Sequence, residues 1–198
     1  MATYNPLTIS FIKGEGSWLI DKDNNKYLDA LGGIAVTCLG HSHPNLVRAI
    51  KEQADKLLHL SNVITIPEQL ILAEQLCKLS GMAQAFFCNS GAEANECAIK
   101  LARMFGHKNN IENPQIIVTD KSFHGRTMAT ISASGNRKVQ AGFEPLVQGS
   151  AGMLMYDACF LDTLIEMAQK HNVLCIADEV MTGFGRTGKL FATDYIQH

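Results

Sequence analysis

Phe86-Phe87-Cys88-Asn89-Ser90-Gly91-Ala92-Glu93-Ala94-Asn95-Glu96 passes from an apolar run, through a tight turn of small residues, into a helix-forming segment. A strand that delivers its chain into such a turn leaves the first N–H groups of the following helix without internal acceptors, at the positive end of the helix dipole. Gly91 places no side chain between those donors and an anion, Ser90 adds a hydroxyl, and Ala92 is nearly as small as glycine. Two readings are open here: a phosphate cradle, and an ordinary strand-to-helix turn capped by Ser90 or Asn89.

The same pattern of apolar run and polar end recurs on the C-terminal side. Gln115-Ile116-Ile117-Val118-Thr119 reads as a buried strand that empties into Asp120-Lys121-Ser122-Phe123-His124-Gly125-Arg126-Thr127, a polar loop interrupted by one large ring. Val173-Leu174-Cys175-Ile176-Ala177 reads as a third buried strand and ends in Asp178-Glu179. Between and before these runs the apolar residues fall at helical spacing. Leu46, Val47, Ile50, Ala54, Leu57 and Leu58 follow Pro44, and Leu70, Ala73, Leu76 and Cys77 follow Pro67, with Gly81 as the close. Ala94, Cys97, Ala98, Leu101 and Ala102 lead to an expected stop at Gly106, and Phe160, Leu161, Leu164, Ile165 and Ala168 give a further face. Strands alternating with helices predict an α/β fold, a mostly parallel sheet with helices on both faces. Ligands of such sheets collect outside the carboxyl ends of the strands. Ser90, Phe123 and Asp178 each stand just past one.

Nearer the N-terminus, Ser17 to Asp21 and Lys26 to Asp29 flank the turn-rich Lys22-Asp23-Asn24-Asn25 and predict a small antiparallel hairpin. Gly40-His41-Ser42-His43-Pro44 is a loop ending where a helix can begin, with Pro44 suited to its first turn. His41 and His43 have no third ligand placed beside them, so a polar loop is preferred to a metal site.

Seventeen basic against nineteen acidic residues among 198 give a formal charge of -2, which offers no broad attraction for nucleic acid or anionic lipid. The expected partner is a small molecule. Six cysteines without a CxxC pair predict reduced, buried thiols. No run approaches membrane-spanning length and the first residues lack a signal core, so the expected location is cytoplasmic. Gly183-Phe184-Gly185-Arg186-Thr187-Gly188-Lys189 has the spacing of a nucleotide-binding loop, but Leu190 stands where the magnesium-binding hydroxyl belongs. A dinucleotide fingerprint is missing at the first strand-to-helix turn as well.

A phosphate cradle, an aromatic ring and a strand-end carboxylate together suit pyridoxal 5'-phosphate. The carboxylate would keep the ring nitrogen protonated, making the ring an electron sink, and the aromatic side chain would stack on its face. Each group also has a plainer role open to it, Phe123 in a core and Asp178 as a helix cap or ion-pair partner.

Gly40 to Pro44, Asn89 to Glu96, Ser122 to Thr127 and Ala177-Asp178-Glu179-Val180-Met181-Thr182-Gly183-Phe184-Gly185-Arg186-Thr187-Gly188, in that order, resemble the class III, ornithine-aminotransferase-like enzymes of fold type I. Up to about Gly149 the chain is most similar to the acetylornithine branch, and from Ser150 to the diaminopelargonic acid branch of biotin synthesis. The resemblance implies that Ser90, Gly91 and Ala92 hold the cofactor phosphate, that Phe123 stacks on the ring with His124 beside it, and that Asp178 pairs with the ring nitrogen. Met181 joins the cofactor residues, and Arg126 matches the arginine that grips the substrate α-carboxylate as a bidentate fork. Residues 1–45 would be the N-terminal segment of a small domain, and 46–198 an incomplete cofactor-binding large domain. The implied reaction moves an amino group from N-acetylornithine, or a related ω-amino donor, to 2-oxoglutarate in arginine biosynthesis, in a homodimer.

Two departures from the family pattern qualify these expectations. The lysine that links covalently to the cofactor follows the Asp-Glu motif at some distance, and Lys189 is not its counterpart, so the expectation is a chain inactive alone. The stretch between Arg137 and Asp178 is also short for the family. Glu144-Pro145-Leu146-Val147-Gln148-Gly149 serves two contexts at once, which predicts a junction of two related sequences near 144–150. The non-enzyme alternative is a cofactor-binding or dimerising fragment without turnover.

Overall fold

The computed structural model of the chain describes residues 4–146 and 158–196, which divide between two compact units, 1–72 and 73–198. The expected junction at 144–150 and the segment after it lie largely outside the described residues.

The first unit carries the sheet. β1 (Phe11–Glu15), β2 (Trp18–Asp21) and β3 (Lys26–Leu28) pair antiparallel in chain order, with Trp18 opposite Leu28 and Ile20 opposite Lys26. The expected hairpin is therefore present, extended by one strand. Its turn is organised by the Asp21 carboxylate, which accepts the N–H groups of Asp23 and Asn25 at 2.9 Å each, the Asn25 side-chain amide at 3.0 Å and the Tyr27 hydroxyl at 3.1 Å. Such a set favours the ionised form: the side-chain bond from Asn25, with the smaller bonds, outweighs burial and lowers the Asp21 carboxyl. After the sheet, Asp29 Oδ1 accepts the N–H groups of Leu31 and Gly32, and Oδ2 lies 2.7 Å from His41 Nε2. His41 thus belongs to a polar clasp that pins the single turn α1 (Gly32–Ala35) to the returning chain. α2 (Pro44–Ala54) begins on Pro44, as its fixed φ and missing N–H favour, and stops short of Leu57 and Leu58.

α3 (Pro67–Ser80) begins in the first unit and ends in the second, and the Gly81 N–H bonds back to the Cys77 carbonyl at 3.0 Å. α4 (Gly91–Lys108) follows the turn at Ser90. It does not stop at Gly106. That glycine is buried within the helix because a β-carbon there would stand 2.6 Å from the Pro114 ring, and the helix ends instead at Asn109. α5 (Met128–Ser132), α6 (Arg137–Gln140), α7 (Ala158–Lys170) and a 3-10 turn (Ala192–Tyr195) complete the second unit. α7 carries the helical face expected over Phe160 to Ala168.

The three apolar runs occupy their expected places between these helices, but they form no strand ladder among the described residues. Nor are they buried: Phe86 is 69%, Ile117 73% and Val173 57% exposed. A parallel strand draws its partners from far along the chain, and a ladder that is not closed leaves side chains on both faces uncovered. The cysteines follow suit. All six are free thiols, but Cys88 and Cys175, on these runs, are exposed with Cys38 and Cys159, and none is fully buried. The burial of the second unit gathers instead on the polar turn of Thr130, Ile131, Ser132, Ala133 and Ser134.

Candidate functional site

Ser90 has extended backbone and caps α4, its Oγ accepting the Glu93 N–H at 3.2 Å. Glu93 reciprocates by accepting the Asn89 N–H at 2.7 Å and the Asn89 side-chain amide at 3.3 Å. The plain capping reading is therefore present, and it is compatible with the phosphate reading. The cap uses the third N–H of the helix, while those of Gly91 and Ala92 have no partner among the described residues. Glu93 was legible in advance, since Ser90-Gly91-Ala92-Glu93 has the S-x-x-E spacing of a capping box.

The aromatic loop is held from both ends. Ser122 Oγ donates to the Ala133 carbonyl at 3.3 Å, and Gly135 N–H to the Ser122 carbonyl at 3.2 Å. At the other end Thr127 caps α5, exchanging hydrogen bonds with Thr130, and its hydroxyl donates to the Glu96 carboxylate on α4. Gly125 lies between, at φ +126°, a conformation closed to other residues. A β-carbon there would stand 2.7 Å from Thr130 Oγ1 and 2.9 Å from Ala92 Cβ, so the loop rests directly on the first turn of α4.

The third element closes on the same turn. A β-carbon on Gly91 would meet both γ-carbons of Val180 at 3.0 Å, which sets the Asp178 segment against the phosphate turn. Asp178 Oδ2 lies 2.7 Å from His124 Nδ1 and accepts the Asn95 side-chain amide at 2.9 Å, while Oδ1 accepts the Val180 N–H at 3.1 Å. The same Asn95 nitrogen donates to the His124 carbonyl at 3.0 Å. Burial pushes the Asp178 carboxyl up, but the hydrogen bonds from His124, Asn95 and Val180, aided by the His124 charge, outweigh it and hold the group below the ordinary carboxylate range. At neutral pH it is an anion. Glu179 is also held low, because bonds from Thr182 and from the Thr193 and Ala192 N–H groups outweigh its burial, and it anchors the 3-10 turn.

Ser90, Gly91, Ala92, Phe123, His124, Arg126 and Asp178 therefore lie on three segments that touch one another. The Phe123 ring is 58% exposed, with the Arg126 guanidinium carbon 5.8 Å from its centroid. Met181 follows Val180 and is half exposed. Asn95 escaped sequence reasoning. A lone amide in the second turn of a helix gives no signal of the two distant loops it joins.

The donor set suits a phosphorylated heteroaromatic ring: two open N–H groups for the phosphate, an anionic carboxylate for a protonated ring nitrogen, and an exposed aromatic face beside them.

Residues 1–147 and 143–198 match the sequence family described as Aminotransferase class-III. The acetylornithine aminotransferase of Nitrosomonas europaea is 48% identical over 224 residues, which cover 97% of this chain and 57% of the relative. Among solved structures, an aminotransferase of Bacillus anthracis superposes with a TM-score of 0.92 at 25% identity, covering all of this chain and 57% of the other. The adenosylmethionine-8-amino-7-oxononanoate aminotransferase of Methanocaldococcus jannaschii superposes at 0.83 with 28% identity, over 96% of this chain and 53% of the other. The path of the backbone is thus that of the fold type I aminotransferases, although the ladder of the sheet is not closed. The chain spans a little over half the length of the curated relative. Since 97% of 198 residues is about 192, an alignment of 224 contains some thirty gap positions, and the two family matches overlap at 143–147.

Proposed function

This chain belongs to the class-III aminotransferases, and from that premise we propose that its second unit binds pyridoxal 5'-phosphate and serves amino transfer from N-acetylornithine to 2-oxoglutarate. The observation that carries the reading is the Asp178 carboxylate, kept ionised by His124 and Asn95, on a segment packed against the open N–H groups of Gly91 and Ala92. When bound, the cofactor supplies an electron-withdrawing ring that stabilises negative charge developing beside the transferred amine.

Each protein group then has a defined task. Gly91 and Ala92 N–H donate to the phosphate, with the Ser90 hydroxyl beside them and the α4 dipole favouring its charge. Asp178 holds a proton on the ring nitrogen by supplying the opposite charge. Phe123 covers one face of the ring, with Met181 on the same segment as Asp178, and the His124 imidazole keeps the carboxylate from turning away. Arg126 binds the substrate α-carboxylate, a task for which its planar fork is built. The covalent lysine is not among the residues assigned here, so what this set performs is binding and orientation. No helix among the described residues is long and apolar enough to cross a membrane. We read the protein as a cytoplasmic homodimer, in keeping with the expected biosynthetic role.

The test is a titration of the purified chain with pyridoxal 5'-phosphate, followed by its absorption and by mass after borohydride. Saturable uptake of one equivalent is the expected result, weakened at least about tenfold by Asp178→Asn and by Ser90→Ala. Uptake that never saturates, or that neither substitution alters, would overturn the reading. With cofactor loaded, N-acetylornithine is expected to compete with other ω-amino donors for the site, and sedimentation reports the dimer.

A further inference from the structure

Asn95 spends both protons of one side-chain amide on two segments remote in sequence. One reaches Asp178 Oδ2 at 2.9 Å, and the other reaches the His124 carbonyl at 3.0 Å. Both acceptors lack protons to give, so the amide nitrogen, rather than its oxygen, must face them. The residue stands on α4 one turn beyond the phosphate turn, partly buried, and the helix fixes its position. His124 makes the second contact to the same Asp178 oxygen, at 2.7 Å, which closes a three-membered ring of hydrogen bonds: Asn95 to Asp178, Asp178 to His124, and the His124 backbone to Asn95. Among the described residues Oδ2 carries both of these bonds and Oδ1 the Val180 N–H, so Asn95, His124 and Val180 together set the carboxylate plane, and Oδ1 keeps acceptor capacity.

We propose that Asn95 is a positioning residue, which aims the Asp178 carboxylate and fixes the backbone of the aromatic loop at His124, so that acid and ring-stacking loop are presented to the cofactor as one unit. The part that concerns the cofactor rests on the pyridoxal phosphate reading; the hold on Asp178 does not. A carboxylate deprived of this donor retains His124 and Val180 but loses its bond to α4, and the loop loses its tie to α4 at His124.

The test has two arms on the 198-residue chain. In the first, the Asp178 carboxyl carbon is followed by NMR through an acid titration without ligand. The wild type is expected to titrate below the ordinary carboxylate range, Asn95→Ala to move up towards that range, and Asn95→Asp to move further up, since a second carboxylate opposes ionisation of the first. Met104→Gly, at an exposed and uncharged position of α4, is expected to leave the Asp178 curve in place and controls for a general loosening of the helix. Unmoved curves in both Asn95 variants would overturn the proposal. Should those variants fail to fold, the wild type still decides: both side-chain amide protons of Asn95 are expected to exchange slowly with solvent, and exchange at the rate of a free amide would refute the clamp. The second arm measures pyridoxal 5'-phosphate uptake, which Asn95→Ala is expected to weaken about tenfold. A shifted Asp178 curve in a chain that takes up no cofactor would uphold the hold on Asp178 and sink the cofactor reading. A shifted curve with undiminished uptake would refute Asn95 as a positioning residue for the cofactor.

Discussion

The sheet of residues 11–28 and the three apolar runs at 86–88, 115–119 and 173–177 are built from the same kinds of residue, yet only the first closes a ladder. The difference is the distance over which partners must be found. β2 and β3 are joined by four residues, and one carboxylate, Asp21, satisfies the turn between them, so pairing costs little loop entropy. The apolar runs are separated by whole helices. Their neighbours must be in place before any of their backbone groups is rewarded. What does form around them is the set of loops at their carboxyl ends, where a few side-chain bonds between remote residues, Asn95 and His124 to Asp178, suffice without a closed ladder. Site geometry and sheet closure are therefore separable properties of this chain.

Amide exchange gives the widest separation. Ladder amides of Leu19, Ile20 and Tyr27 are expected to exchange at least about a hundredfold more slowly than those of Ile116 to Val118 and Leu174 to Ile176. Equal protection would show that the parallel ladder closes in solution, and the contrast would fall. Next in size comes Gly125→Ala. Its new methyl group meets Thr130 and Ala92 in a conformation that alanine avoids, so a loss of about 2–3 kcal/mol of stability in denaturant titrations is expected. A neutral result would mean that the aromatic loop does not rest on α4. The smallest effect sharpens the contrast most. Ile117→Ser, at a side chain 73% exposed, is expected to change stability by no more than about 0.5 kcal/mol, whereas a buried strand position would cost several times that.

The legibility of the chain divides along the same line. Pro44, Pro67 and the helical spacing of apolar residues announced α2, α3, α4 and α7, and the Asp-Asn turn announced the hairpin, because each is decided by residues near in sequence. Ser90 as a cap and Asp178 at the end of an apolar run were equally plain. α5 was not, since two of its three buried residues, beside Ile131, are Thr130 and Ser132, whose hydroxyls satisfy themselves on Thr127 and the Met128 carbonyl, so that no apolar stripe marks the helix. Gly106 misled because a glycine late in a helix reads as a stop, whereas here it admits Pro114. The exposure of Ile117 and of Cys175 could not be read from their composition, which describes what a residue prefers and is silent on whether its neighbour arrives.

The contact between Gly106 and Pro114 sets the direction in which the chain leaves α4. It joins a ring to bare backbone through dispersion alone, with no charge to screen and no proton to lose. Acid or concentrated salt that loosens the carboxylate clamps at Asp29 and Asp178 leaves this joint untouched. The departure from the longest helix is thus insulated from ionic conditions to which the site beside its first turn responds.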